Sequence, residues 1–152
     1  MSSEKVVLKK AIRSALKIMK DAGFEISDSI QVVVDPKLPF MGYSTKRGGS
    51  DVIVISGRAL ASNMVEGLLV HEMSHIYRIS TKHPSHNHEL LNMVEKSVLE
   101  KAHLTKDYQI EIVSQAINHV QDLYADDVAF RFQPKWIIST GPGLQFPSEL
   151  DN

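Results

Sequence analysis

The part of this chain best equipped for chemistry is Leu68-Leu69-Val70-His71-Glu72-Met73-Ser74-His75-Ile76-Tyr77, which contains His-Glu-x-x-His. On an α-helix, residues i and i+4 share a face about 5–6 Å apart, so both imidazoles can aim at one cation. Zinc takes such nitrogens at roughly 2.0–2.1 Å. Glu72 lies about 100° round the helix from His71, near enough to reach a water activated by the metal without becoming the obvious ligand. Two metal-binding nitrogens and a candidate general base therefore come from one helical turn. Met64, Leu68, His71 and His75 form a single stripe, which places the histidines on the buried face. The plain alternative is a pair of half-buried histidines completing a core, with Glu72 in solvent.

Two histidines do not complete a catalytic zinc site, which usually has three protein ligands and an open position. The best source of the third is Asn118-His119-Val120-Gln121-Asp122-Leu123-Tyr124-Ala125-Asp126-Asp127. His119, Asp122 and Asp126 fall at i, i+3 and i+7, a stripe continuous with Ile112 and Ala116. Acidic groups in such a stripe are costly unless a charged partner or a metal meets them, so this face is expected to oppose His71 and His75.

Together the two segments resemble the gluzincin metallopeptidases, in which an H-E-x-x-H helix is followed by a helix carrying an acidic ligand and, four residues on, an Asp. Many members read E-x-x-A-D there; this chain reads Asp122-Leu123-Tyr124-Ala125-Asp126, with Asp where Glu is usual. The small size and the order of elements resemble archaeal minigluzincin-type proteins. The resemblance covers about residues 50–130. It implies zinc bound by His71, His75 and Asp122, with Glu72 activating water and Asp126 hydrogen-bonding the outer nitrogen of a ligand histidine. It also implies that Asp51–Ser56 is a rim strand pairing with an extended peptide. Because Asp is one methylene shorter than Glu, its helix must approach the metal more closely. His119 is the replacement ligand if it does not, and otherwise a candidate donor to the oxyanion.

Other residues compete. Glu95 lies twenty residues after His75, a spacing some gluzincins use, but no Asp stands four residues on. His83-Pro84-Ser85-His86-Asn87-His88 reads as a polar turn. The alternative makes one of its histidines the third ligand, as in SprT-like proteases acting on DNA-bound proteins. A different class of function is a zinc-binding regulatory or latent protein without turnover, with Glu149 or Asp151 of the C-terminal segment lying near the metal.

The elements that must hold these residues are readable from periodicity. Apolar residues from Lys5 to Ala22 recur at three and four, giving a helix stopped by Gly23. Its Lys9, Lys10, Arg13, Lys17 and Lys20 read as a solvated basic face. Ile30–Asp35 and Asp51–Ser56 read as strands, and Pro36–Gly49, with its prolines and glycines, as a loop. Within that loop Leu38, Phe40, Met41 and Tyr43 either line a cleft or fold onto the core. Asn63 followed by Glu66 marks a helix start, running to about Ile79. Further helices fit His88–Ala102, with Leu90, Leu91, Val94, Val98 and Leu99 inward, and Asp107–Arg131. The expected fold is α+β, a small antiparallel or mixed sheet packed on a helical layer that carries the H-E-x-x-H helix and a downstream ligand helix. Residues 1–152 form one minimal domain, with 133–152 an irregular tail.

Composition bounds the rest. With 152 residues, 43% hydrophobic and 23% charged, the chain is neither disordered nor fibrous and is long enough for a core. The absence of cysteine excludes disulfides, cysteine–zinc ribbons and thiol catalysis. A net charge of −1 gives no field to recruit nucleic acid or an anionic membrane. No apolar run approaches the roughly 20 residues that span a bilayer. A cytoplasmic enzyme using Zn2+ on a peptide or protein substrate is the resulting expectation.

Overall fold

The computed structural model describes residues 3–27 and 29–132. Nine elements follow in order: α1 (Ser3–Asp21), β1 (Gln31–Asp35), β2 (Gly42–Arg47), β3 (Ser50–Ser56), α2 (Gly57–Ala61), α3 (Val65–Ser80), a 3-10 turn (Pro84–His86), α4 (His88–Lys101) and α5 (Asp107–Phe132). The fold is α+β, with a three-stranded mixed sheet in the order β1-β3-β2. β1 runs parallel to β3, and β2 antiparallel to it.

α1 ends as expected: Gly23 takes φ +82°, and the Phe24 amide donates back to the Met19 carbonyl. The Pro36–Gly49 segment is not all loop, because Gly42–Arg47 forms β2. Gly48 and Gly49, at φ +57° and +81°, make the two-residue turn that pairs Arg47 with Ser50. β3 is consequently the central strand, with β1 and β2 at the edges, and β2 is the edge whose Gly42, Tyr43 and Ser44 line the cleft beside α3. This corrects the assignment of Asp51–Ser56 to the rim. Along β3, Val52, Ile53, Val54 and Ile55 are all buried, and Ile53 and Ile55 face the helical core.

Ala11, Ala15 and Met19 of α1, Ile53 and Ile55 of β3, and Leu69, Val70, Met73 and Ile76 of α3 form the core, joined by Val128 of α5. α3 therefore lies between α1, the sheet and α5. Its first turn is not capped by Asn63. Met64 holds the cap position without a side-chain bond, and the Ser62 hydroxyl accepts from the Met64 amide instead. α2, not foreseen, is closed by the Ser56 hydroxyl accepting from the Ala59 amide.

α4 occupies the expected span but not the expected environment. It buries no residue, and Leu90, Val94 and Val98 are 41%, 45% and 41% exposed. Among the described residues its main neighbours are α5 and the 3-10 turn, and its apolar face is partly covered. The apolar end of the α5 stripe is likewise open, with Ile112 and Ala116 exposed. The expected irregular tail, 133–152, with Glu149 and Asp151, lies outside the described residues. Among those described, no helix is long and apolar enough to cross a membrane.

Candidate metal centre

His71, Glu72 and His75 come from the middle of α3, where packing on three sides leaves the backbone little freedom. α5 crosses beside it and delivers Asp122 and Asp126. One anchor of that crossing is Arg78, a buried residue of α3. Its Nε donates to the Tyr124 carbonyl at 3.2 Å, and its guanidinium stacks over the rings of Tyr124 and Phe24. Tyr124 stands midway between the two aspartates.

The result is a tight group of acceptors. His75 Nε2 lies 3.0 Å from His71 Nε2 and 3.3 Å from Asp122 Oδ1, and His71 Nε2 lies 3.9 Å from the same oxygen. Tetrahedral ligands at about 2.05 Å from zinc stand about 3.3 Å from one another, so the triangle has the right size. Its chemistry fits as well. The Asp126 carboxylate accepts from His71 Nδ1 at 2.6 Å, so a neutral His71 keeps the lone pair of Nε2 on the side of His75 Nε2 and Asp122. His75 Nε2, 3.0 Å from His71 Nε2 and 3.3 Å from Asp122 Oδ1, brings lone pairs together that a proton or a cation between them must offset. His71, His75 and Asp122 thus form a group that can hold a metal ion. The shorter Asp side chain reaches because α5 comes close to α3.

The outer nitrogen of His75 meets a residue the sequence did not assign to that role. His75 Nδ1 lies 2.7 Å from Nε2 of His86, a buried member of the 3-10 turn. His86 therefore stands behind His75, on the side away from the triangle. Burial, followed by repulsion from His75, Arg78, His83 and His88, pushes the His86 imidazole down to about 4. Of the loop histidines, His83 faces Tyr124 and His88 lines the rim of the cleft, and neither joins the triangle. Glu95 borders a separate hollow on α4. His119 is 76% exposed, with Nδ1 3.8 Å from Asp122 Oδ2, one turn before the triangle.

Glu72 is buried beside the group. Burial raises its pKa against the opposing pull of His71 and of hydrogen bonds from the Ser44 side chain and main chain. Ser44 went unnoticed in the sequence because β2 did, although Gly48-Gly49 was the signal. For His71, burial alone would depress the pKa, but the Asp126 hydrogen bond and the carboxylates of Glu72, Asp126 and Asp122 outweigh it, and the net shift is upward. His75 is shifted down, first by burial and then by His71.

These groups open into a cleft of about 390 Å3 between β2 and α5, lined among others by Gly42, Ser44, Glu72, Gln121 and Asp122. Gly42 is required there: a Cβ would sit 2.8 Å from the Val54 carbonyl oxygen and 3.3 Å from Leu68 Cδ2. No curated protein and no solved structure matches the chain. Residues 9–138 match the model of a family of unknown function, DUF5781, and the chain belongs to that family.

Proposed function

We propose that this protein is a zinc-dependent metallopeptidase. The observation that carries the reading is the convergence of His71 Nε2, His75 Nε2 and Asp122 Oδ1 within 3.9 Å, beside a buried Glu72, at the floor of an open cleft. Zinc, when bound, acidifies water and polarises a carbonyl. His71, His75 and Asp122 would hold it, leaving the cleft side free for water and substrate.

Glu72 takes a proton from the attacking water as its oxygen bonds to the scissile carbonyl carbon. It then passes that proton to the nitrogen as the carbon–nitrogen bond breaks. Its raised pKa suits a group that must first accept and then donate near neutral pH. Ser44 holds the carboxylate toward the cleft. Among the described residues β2 pairs only with β3, so its other edge is available to align an extended peptide. His119, exposed one turn before Asp122, reaches an oxyanion in the cleft by turning its side chain inward.

Full-length protein stripped of metal should take up a single zinc and cleave an unstructured substrate such as casein, and chelation should stop cleavage. Glu72→Gln should bind zinc as the parent does and lose turnover by at least about a hundredfold. A parent without zinc uptake, or a Glu72→Gln variant as active as the parent, would overturn the proposal. Stoichiometric zinc with no cleavage by the parent would favour the zinc-binding regulator instead.

A further inference from the structure

We infer that the hollow beside the cleft, walled by Ile76 and Ile79, is a subsite that selects the substrate. It takes an apolar side chain of an extended peptide, two positions before the residue that faces Ser44. Its use rests on the peptidase reading, its position on the register of β2.

Two observations fix which residues of β2 keep main-chain groups on its outer edge. The Ser56 amide donates to the Met41 carbonyl at 2.9 Å, so Met41 faces β3. Ser44 gives its main-chain N–H to Glu72, so Ser44 faces away from β3. In an antiparallel ladder the two kinds alternate, and Gly42, Ser44 and Lys46 are therefore the outward-facing residues. Their side chains lie on the α3 side of the sheet: a Cβ on Gly42 would meet Leu68, and Ser44 stands opposite Ile53 of the core. A peptide bonding this edge antiparallel, the slightly stronger arrangement, puts its side chains opposite Ser44 and Lys46 on that same side.

The side chain opposite Ser44 arrives at Glu72. The one opposite Lys46, two residues earlier in the peptide, arrives at the hollow. This space of about 190 Å3 is lined by Ser44, Thr45, Lys46, Asp51, Ile76 and Ile79. It is smaller than the roughly 300–1,000 Å3 that takes a whole small molecule, and suits one side chain. Ser44 and Ile79 also line the cleft, so the two spaces are continuous. The charged members satisfy each other, with Lys46 Nζ 3.1 Å from Asp51 Oδ1. What remains is aliphatic. Ile76 is buried, and Ile79, 46% exposed, is a large apolar side chain that the fold leaves open. Covering it with an apolar side chain is favourable, whereas a charge placed there would lose water without gaining a partner. The cut falls on one side or the other of the residue facing Ser44, so the selected residue is the second or third before the cut.

Binding and cleavage test this separately. In 1H–13C methyl spectra of isoleucine-labelled, metal-free full-length chain, a capped alanine hexapeptide carrying one leucine should shift the Ile76 and Ile79 signals. It should do so at a concentration at least about tenfold below that needed with the all-alanine peptide. With zinc, the cuts in unfolded casein, mapped by mass spectrometry, should show apolar residues enriched at the second or third position before the bond. Ile79→Asp, a change at a half-exposed position, should lose that enrichment and favour lysine or arginine there, with zinc uptake unchanged. Cleavage without enrichment at either position, or isoleucine signals that respond alike to both peptides, would overturn the inference and leave the peptidase proposal standing. Leucine-selective binding by a parent that takes up zinc without cleaving would overturn the peptidase proposal and leave the subsite.

Discussion

His71 and His75 sit one turn apart on α3 and turn Nε2 to the same spot, yet what stands behind each ring differs. Behind His71 is a carboxylate, Asp126, brought from α5, 55 residues along the chain. Behind His75 is a neutral imidazole, His86, brought by the turn that follows α3, only 11 residues along. The carboxylate adds charge as well as direction, and the His71 pKa is raised in spite of burial. The imidazole adds direction alone, and burial, then repulsion from His71, leaves His75 shifted down. One ligand is therefore tuned through tertiary packing and the other through local chain path. Damage to α5 should disturb the first and spare the second.

The largest effect should come from the group both rings share. Asp122→Ala removes the carboxylate from the proposed triangle, and zinc affinity should fall by more than the roughly 10–100-fold typical of an outer hydrogen-bond partner. With zinc at 100 times the parent dissociation constant, the parent should gain about 2.7 kcal/mol of stability and the variant almost none. Without metal the variant should be no less stable than the parent, because an acceptor has been taken from a cluster of acceptors. Thermal melts with and without zinc check both statements. A full zinc-dependent gain in Asp122→Ala would show that the third ligand is elsewhere.

A smaller effect separates charge from direction. Asp126→Asn keeps an oxygen that can accept from His71 Nδ1 but removes the charge, so the support of His71 comes to resemble that of His75. If the charge matters, zinc affinity falls about 10–100-fold. Affinity equal to that of the parent would mean that the two supports are equivalent and that the contrast drawn from them has no consequence for binding.

Which of these features could be seen in the chain depends on how far their causes reach. The His71-Glu72-x-x-His75 turn was visible because helical spacing is a local property, and α3 lies within two residues of its expected span. Asp122 and Asp126 were visible as polar positions sharing one helical stripe. His86 was not, since its place behind His75 depends on the chain reversing at Thr81 and Lys82, where Lys82 takes φ 54°. β2 had a local signal in Gly48-Gly49, but the prolines and glycines around it outweighed that signal. Once β2 is present β3 becomes central, so the identity of the rim strand followed from one missed turn. In α4, Leu90, Val94 and Val98 mark an apolar side, but periodicity cannot say whether anything covers it.

The smallest effect concerns the anchor that makes the carboxylate side possible. Arg78 grips the Tyr124 carbonyl between Asp122 and Asp126, and its backbone carbonyl separately accepts from the His83 amide at the start of the turn. Arg78→Met keeps the buried stem and the backbone bond but removes the guanidinium from Tyr124 and Phe24. Loss of one side-chain hydrogen bond and of the stacking should cost about 1–3 kcal/mol of stability, read from urea unfolding. The side chain reaches α5, whereas the turn is held by the backbone bond. Among folded molecules, zinc affinity should therefore weaken through Asp122 and His71, while the His75 ring signals in 1H–15N spectra of histidine-labelled protein stay as in the parent. If the His75 signals shifted together with those of His71, the two supports would be one mechanical unit, and the division into a tertiary and a local half would fail.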